Sequence, residues 1–295
     1  MRATHRRLST TIPLFSTAMP AAADGAAADP TPILYIHGLL GSSTNFRAVQ
    51  AKSSRCGRHT LAVDLRDHGQ SPHSAGASTL LDYARDVAAV IESKAAGGRA
   101  DVVGHSLGGK TGMVLALMRP ELVRRLVVVD ISPTAYRAAG ADAVIEWTGV
   151  SGVVHAVHKL DTSAHRSRQS VDAELAKGGV ADPGVRSFVC QNLVMDASGS
   201  YRWRMNSAAL VASLQNFASF PADAELRTPF SGEVHVISGE NSGYVRPHHH
   251  SRFTQLFPSV TIHPPVPGAG HWVHADKPAE FWQLLSKSLH LRSAN

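Results

Sequence analysis

One stretch restricts the folds open to this chain more than any other. Ala100 to Val103 is apolar apart from Asp101, Thr111 to Met118 has the composition of a helix, and Gly104-His105-Ser106-Leu107-Gly108-Gly109-Lys110 lies between them. A strand that turns directly into a helix through Gly-x-Ser-x-Gly holds its serine at the tip of the turn, in a strained backbone conformation. The positions two residues to either side are then crowded, which accounts for glycine at both 104 and 108. The helix starts just past Ser106, so its unpaired N–H groups and the positive end of its dipole face whatever reacts there. Such a turn suits a nucleophilic hydroxyl.

The rest of the chain supplies a sheet for that turn. Ile33 to Ile36 reads as a short buried strand followed by the loop His37-Gly38-Leu39-Leu40-Gly41-Ser42, and Phe46 to Lys52 as a helix. A second strand, His59 to Leu65, ends at Arg66-Asp67-His68-Gly69-Gln70-Ser71-Pro72. From Leu80 to Lys94 the apolar residues Leu81, Ala84, Val87, Ala88 and Ile91 fall three and four apart, as in an amphipathic helix. Leu126 to Ile131 is a Val-rich strand closed by Asp130-Ile131-Ser132-Pro133. The alternation then stops. Residues 134–220 read as a mostly helical insertion, with helices at Ala143 to Leu160 and Val185 to Met195 and a Gly-bearing turn at Asp196 to Arg204. It resumes with a strand at Val234 to Ser238, a helix around Pro247 to Phe257 and a strand at Val260 to His263. The last helix starts near Asp276, a plausible cap, with Pro278 in its first turn. Alternating strands and helices predict the α/β class, with a mostly parallel sheet, helices on both faces and reactive loops at the carboxyl ends of the strands. With the serine turn, this is an α/β-hydrolase fold over 31–295, with a helical cap, 134–220, inserted after the strand that ends at Asp130. Little room is left for strands before Ile33, so the sheet is expected to begin there.

Composition narrows the setting. Hydrophobic residues at 43% and charged residues at 18% are ordinary for a soluble globular enzyme, and no apolar run is long enough to cross a bilayer. The net charge of +6 is partly terminal: Arg2, His5, Arg6 and Arg7 precede any acid, and Ser9, Thr10, Thr11, Ser16 and Thr17 lie among apolar residues. Residues 1–30 therefore read as a transit peptide with a flexible lead-in. Mitochondrial import is the expected destination, with chloroplast and cytoplasm as alternatives, and any cleavage is expected between Ser16 and Asp29. Elsewhere basic residues are mixed with acids, which argues against nucleic acid as a partner. Cys56 and Cys190 are far apart and in no metal or redox spacing, as unpaired thiols in a reducing compartment would be. His248-His249-His250 points its side chains in divergent directions, so no metal and no cofactor are expected.

A serine hydroxyl needs a base, and the base needs an acid that fixes its tautomer. In this fold the base sits in the loop after the last strand, and His271, between Gly270 and Trp272, stands there. His274 reads as a supporting or surface residue, His105 as packing, His37 as a loop anchor and Asp67-His68-Gly69 as a tight turn. Backbone N–H groups of Leu107 and Leu39 are the expected oxyanion donors. The acid usually follows the strand after the cap, but Gly239-Glu240-Asn241-Ser242-Gly243 has an uncharged residue where the aspartate is sought. Asp130, at the end of the strand after the elbow helix, is the favoured substitute, with Glu240, Asp67 and Asp223 behind it. The reading is a serine hydrolase working through an acyl-enzyme on a small-molecule ester.

The segments Gly104 to Lys110, Val129 to Pro133, Arg66 to Pro72 and Gly268 to Pro278 together resemble the alpha/beta hydrolase domain-containing protein 11 family and its bacterial esterase relatives. Tyr201-Arg202-Trp203-Arg204 with Asn206, and Asn241-Ser242 with Tyr244-Val245, share that likeness, which runs from Ile33 to Leu289. The resemblance implies a serine esterase acting on esters of modest size, mitochondrial in animal members. This chain departs from the family at its N-terminus, where it lacks the leading strand, and in part of the cap. Two other functions stay open. Arg166, Arg168, Arg186, Arg202 and Arg204 in or near the cap would suit the anionic carrier of a thioesterase, and a low-turnover binding protein would keep the same fold. Trp147, Phe188, Trp203, Phe217 and Trp272 are candidates to narrow the space above Ser106, which favours short or medium acyl chains.

Overall fold

Buried valines make the centre of the sheet. Val102 and Val103, and Val127, Val128 and Val129, have no exposed surface, so their strands read as continuous apolar runs covered on both faces. The computed structural model of the chain describes residues 11–22, 29–136, 145–226 and 229–291, for 145–148 the backbone alone. Strands β1 (Ser16–Met19), β2 (Ile33–Ile36), β3 (Thr60–Val63), β4 (Ala100–His105) and β5 (Val123–Val129) are interleaved with helices α1 (Arg47–Arg55), α2 (Leu80–Lys94) and α3 (Leu107–Met118). Next come α4 (Ile145–Lys159), α5 (Arg168–Lys177), α6 (Pro183–Cys190), the hairpin β6 (Leu193–Met195) and β7 (Tyr201–Trp203), and α7 (Ser207–Ala218). Strand β8 (Glu233–Ile237), helix α8 (His250–Leu256), strand β9 (Val260–Ile262), the single turn α9 (Val273–Asp276) and α10 (Pro278–Ser288) complete the chain. The main sheet has the order β1-β3-β2-β4-β5-β8-β9, parallel throughout except for β1.

The α/β-hydrolase fold expected from the alternation is the one observed. On one face Leu34, Val63, Val102 and Val128 pack with Tyr83, Val87 and Ile91 of α2 and Met113 and Leu117 of α3. On the other, Ile33, Tyr35, Val103 and Val127 meet Phe46, Val49 of α1 and Phe281 and Leu285 of α10. Helix α2 has the bounds its periodicity predicts, and Thr79 caps it by accepting from the N–H of Asp82, a contact worth about 1 kcal/mol. Register brings the reactive loops together. Ile36 pairs with Gly104, His105 with Val129 and Val129 with Ile237, so β2, β4, β5 and β8 end side by side.

Three local expectations are corrected. The sheet does not begin at Ile33: Ser16–Met19 lies antiparallel on β3, with Ser16 opposite Val63. Leu14 is buried, and the N–H groups of Ile12 and Phe15 reach the Asp86 carboxylate and the Ser71 hydroxyl. The stretch read as a transit peptide thus holds a folded edge strand; residues 1–10 and 23–28 lie outside the described residues. The second correction is in the cap: its last predicted helix ends at Cys190, and the Gly-bearing turn joins two strands of a hairpin. Finally, Asp276 does not cap the last helix. It closes α9, and its carboxylate accepts the N–H of Gly270 at 2.8 Å.

The cap leaves and rejoins the sheet at one point. The Lys110 ammonium, buried in α3, donates to the carbonyls of Thr134, Phe217, Ala218 and Ser219 at 2.8–3.1 Å and lies 4.6 Å from the centre of the Tyr136 ring. Burial pulls its pKa down. The N–H of Tyr136 joins the two cap ends directly, to the carbonyl of Ala218 at 2.8 Å.

Candidate active site

Ser106 occupies the tip of the β4–α3 turn at φ 52° and ψ −117°, a conformation that side chains rarely adopt. The two flanking glycines are needed for different contacts. A Cβ on Gly104 would stand 2.2 Å from the carbonyl oxygen of Gly108, the crowding that the motif implies. One on Gly108 would stand 2.3 Å from the carbonyl oxygen of Ile36, so the second glycine lets the elbow pack against the end of β2. The N–H of Ser106 is tied to the carbonyl of Val129 at 3.0 Å, which anchors the turn to the neighbouring strand.

That neighbouring strand delivers Asp130. Its side chain is fully buried, its φ is 51°, and its carboxylate accepts three hydrogen bonds. The donors are Nδ1 of His271 at 2.8 Å, the Ser242 hydroxyl at 2.5 Å and the N–H of Gly239 at 3.1 Å. Ser242 thus stands in the loop where an aspartate was sought, and it supports the carboxylate rather than replacing it. Glu240 faces away and accepts the N–H of Gly268. Asp67 is held by Ser74 and Asn206, and Asp223 by Arg252.

The His271 loop comes close because Gly239 has no side chain; a Cβ there would lie 2.2 Å from the carbonyl oxygen of Gly270. His105 holds the loop from beneath, its Nε2 2.9 Å from the carbonyl oxygen of His271. Burial and the neighbouring His271 and His274 push the pKa of His105 well down, so it donates as a neutral ring. His37 is a loop anchor: Nε2 accepts the N–H of Leu65, Nδ1 meets the carbonyl of Gly38, and burial followed by the nearby His68 lowers its pKa to about 3. His68 accepts the N–H of Leu40, and Gly41 donates to Gly38. Those bonds fix the loop, and Leu39 beside them lines the cavity with Ser106.

Ser106, His271 and the His37 to Leu40 loop open into a cavity of about 350 Å³. Apolar side chains make most of its wall, among them Val150, Val153, Phe188, Val189 and Trp272. Of the bulky residues expected above Ser106, Phe188 and Trp272 do line it, with ring centres 5.7 Å apart. Phe217 borders a smaller recess under Ser106, Trp203 donates to the carbonyl of Val157 away from the cavity wall, and the Trp147 side chain lies outside the described residues. None of the five arginines weighed for an anionic carrier lines the cavity. Arg166 and Arg168 donate to backbone carbonyls, and Arg186 pairs with Asp172. His249 turns inward to accept the N–H of Arg246. Cys56 and Cys190 are both free.

Sequence reasoning missed several contributors. Asn192 of the cap donates to the carbonyl of Leu40 at 2.8 Å and ties the cap to the loop of Leu39. Tyr244 lays its ring 4.3 Å from that of His271. Neither contact has a signature in sequence, since the partners are far apart in the chain. His274 could have been suspected: it follows His271 by only three residues, and it lines the cavity rather than supporting from behind.

A nucleophile elbow, a histidine loop and a buried carboxylate on adjacent strand ends define the hydrolases of the α/β-hydrolase fold. The chain belongs to the alpha/beta hydrolase fold family, which it matches over residues 31–278. Within that family it is 39% identical over 267 residues to the sn-1-specific diacylglycerol lipase ABHD11 of Mus musculus, covering 90% of this chain and 83% of that protein. Esterase YbfF of Escherichia coli is 28% identical, covering 88% of this chain and 93% of that one. A solved marine microorganism esterase superposes with a TM-score of 0.83 at 25% identity, covering 96% of this chain and all of that one. The likeness drawn from the four motifs therefore holds, and this chain is a hydrolase of the esterase and lipase group.

Proposed function

We propose that this protein hydrolyses carboxylic esters through an acyl-enzyme on Ser106, with His271 as the base and Asp130 as its acid. The observation that carries the reading is the 2.8 Å contact from His271 Nδ1 to buried Asp130, at a cavity shared by His271 and the strained Ser106. With its Nδ1 proton committed to Asp130, the imidazole presents Nε2 as the acceptor for the Ser106 proton. Ser106 Oγ attacks the ester carbon, and the negative charge on the carbonyl oxygen falls to the N–H groups of Leu107 and Leu39. His271 then returns the proton to the departing alcohol, and a water activated the same way releases the acid. Asp130 opposes the positive charge on the imidazole during both transfers.

The cavity is at the small end of the roughly 300–1,000 Å³ range of ligand sites, which favours short or medium acyl chains. The name of the mouse relative carries an acylglycerol, and a carboxylic ester of a small polyol is the substrate class we propose here. That none of the five arginines lines the cavity, with Arg166, Arg168 and Arg186 held by internal partners, argues against an anionic thioester carrier. Localisation is part of the proposal: the Arg- and Ser/Thr-rich start directs the chain to mitochondria. Cleavage between Ser16 and Asp29 would cut into or remove β1, so we place it before Thr11. The test is labelling by a fluorophosphonate, with Ser106→Ala as control, and hydrolysis of p-nitrophenyl esters from acetate to palmitate. Labelling at Ser106 with higher kcat/KM on butyrate than on palmitate is expected. Absent labelling refutes the mechanism, labelling without turnover favours a binding protein, and a preference for palmitate refutes the size limit.

A further inference from the structure

We infer that His274 is a substrate-binding residue, donating a hydrogen bond from Nε2 to an uncharged oxygen of the substrate other than those of the reacting ester group. The inference rests on the esterase reading above and narrows its substrate class to esters that carry a hydroxyl or a second carbonyl.

His274 differs from the other buried histidines around the site. His37, His68, His105 and His249 each have a ring nitrogen bonded to the backbone. The Nδ1 atom of His274 is sealed from solvent and has no hydrogen-bond partner. Its ring is nevertheless held firmly, stacked on Phe46 with centres 5.1 Å apart and edged by His105 at 4.9 Å and Phe281 at 5.9 Å. The ring also lines the cavity that contains Ser106 and His271.

The tautomer follows from the burial. A buried N–H without an acceptor costs more than a buried lone pair without a donor, because the polar hydrogen loses a strong bond to water. Nδ1 therefore carries the lone pair and Nε2 carries the hydrogen. Burial, and then the neighbouring His271, hold the pKa near 4, so the ring is neutral wherever an esterase of this kind works. A neutral donor on an apolar wall is matched to a neutral acceptor; a carboxylate or phosphate would call for a cation. Position adds to this. His271 and His274 both line the cavity and both pack on the His105 ring, with centres 4.6 and 4.9 Å from it, so an oxygen bound by His274 lies close to the reacting centre.

The experiment compares kcat/KM within two pairs of esters. Glyceryl monobutyrate against propyl butyrate tests a hydroxyl on the alcohol side, and methyl 3-hydroxybutyrate against methyl butyrate tests one on the acyl side. Wild type should prefer the hydroxylated member of one pair, and the pair identifies the half of the substrate that His274 reads. His274→Phe, which fits between Phe46 and Phe281, should lower that preference about tenfold, the worth of one neutral hydrogen bond. His274→Gln, whose amide nitrogen can stand where Nε2 stands, should keep most of it. A wild type without preference in either pair overturns the inference, as does a preference that survives His274→Phe. Fluorophosphonate labelling of Ser106 in the same samples separates that outcome from failure of the esterase reading.

Discussion

Replacing Asp130 by asparagine tests the proposed mechanism at its most specific joint, and the structure indicates which way the new amide would face. One carboxylate oxygen accepts the N–H of Gly239, and the other accepts both His271 Nδ1 and the Ser242 hydroxyl. An asparagine must turn its NH₂ toward one of these two sides. Facing Gly239 it would oppose one N–H to another, leaving buried donors unpaired at a cost of roughly 1–3 kcal/mol each. On the other side both partners can adapt, since the Ser242 hydroxyl can rotate to accept and the imidazole can move its proton. The amide therefore settles with NH₂ toward His271, and Nδ1 becomes an acceptor. The ring hydrogen then sits on Nε2, the atom that must take the Ser106 proton, and the opposing negative charge is gone as well. A fall in kcat of about 10³–10⁴ is expected, equivalent to about 4–5.5 kcal/mol at 1.36 kcal/mol per decade. KM and melting temperature should change little. Steady-state hydrolysis of p-nitrophenyl butyrate measures the first, and a thermal melt checks the second. An Asp130→Asn enzyme within tenfold of wild type, or a Glu240→Gln enzyme that is inactive, would refute the assignment.

Three further outcomes follow from named contacts. Gly108→Ala should destabilise the fold and slow phosphonate labelling, because its Cβ would meet the Ile36 carbonyl at 2.3 Å, whereas Gly152→Ala, with open space on α4, should add about 0.5–1 kcal/mol; equal melting temperatures would contradict the packing described. Acid should loosen the protein well above the carboxylate range. Burial keeps His37 near pKa 3 and His274 near 4 against 6.5 when unfolded, so the unfolded chain takes up protons first and stability present above pH 6.5 is lost on acidification toward 4; a melting temperature flat from pH 7 to 5 would exclude this. Relative to a truncation of residues 1–10, removing 1–22 should cost on the order of 2–4 kcal/mol through Leu14 and the β1 ladder, and identical denaturant midpoints for the two truncations would show that β1 contributes nothing.

The parts of the site that were legible in the sequence are those whose chemistry is local. A serine between two glycines at a strand–helix junction, and a histidine in a glycine-rich loop, are each recognisable within a few residues. Asp130 was legible only because the loop after β8 has no aspartate to offer; its link to Ser242 depends on the adjacency of β5 and β8, which the order of elements does not state. β1 escaped notice because Ser16, Thr17, Ala18 and Met19 have neither alternation nor a buried run, and only their pairing with β3 makes them a strand. The β6–β7 hairpin is three residues a side, too short to show a period against helical neighbours. His274 was misjudged for a different reason: proximity in sequence to His271 suggested support, while the start of α9 after Trp272 carried it into the cavity wall.

The four carbonyls gathered on Lys110 bear on how freely this lid can vary. Both ends of residues 134–220 are fastened to the Lys110 side chain on the elbow helix, so the insertion leaves and rejoins the sheet at one fixed point, while Asn192 and Asn206 add ties from within it. Closing a longer loop on ends already held together costs only about 0.6 kcal/mol per doubling of length. Where the Asn192 and Asn206 ties are kept, this lid can therefore lengthen between them without disturbing the strand ends that carry Ser106 and Asp130. Substrate preference can drift in one module while the chemistry stays constant in the other. The compact head group of a lysine suits that junction, since its carbonyls converge on a point; the planar fork of an arginine would spread them apart.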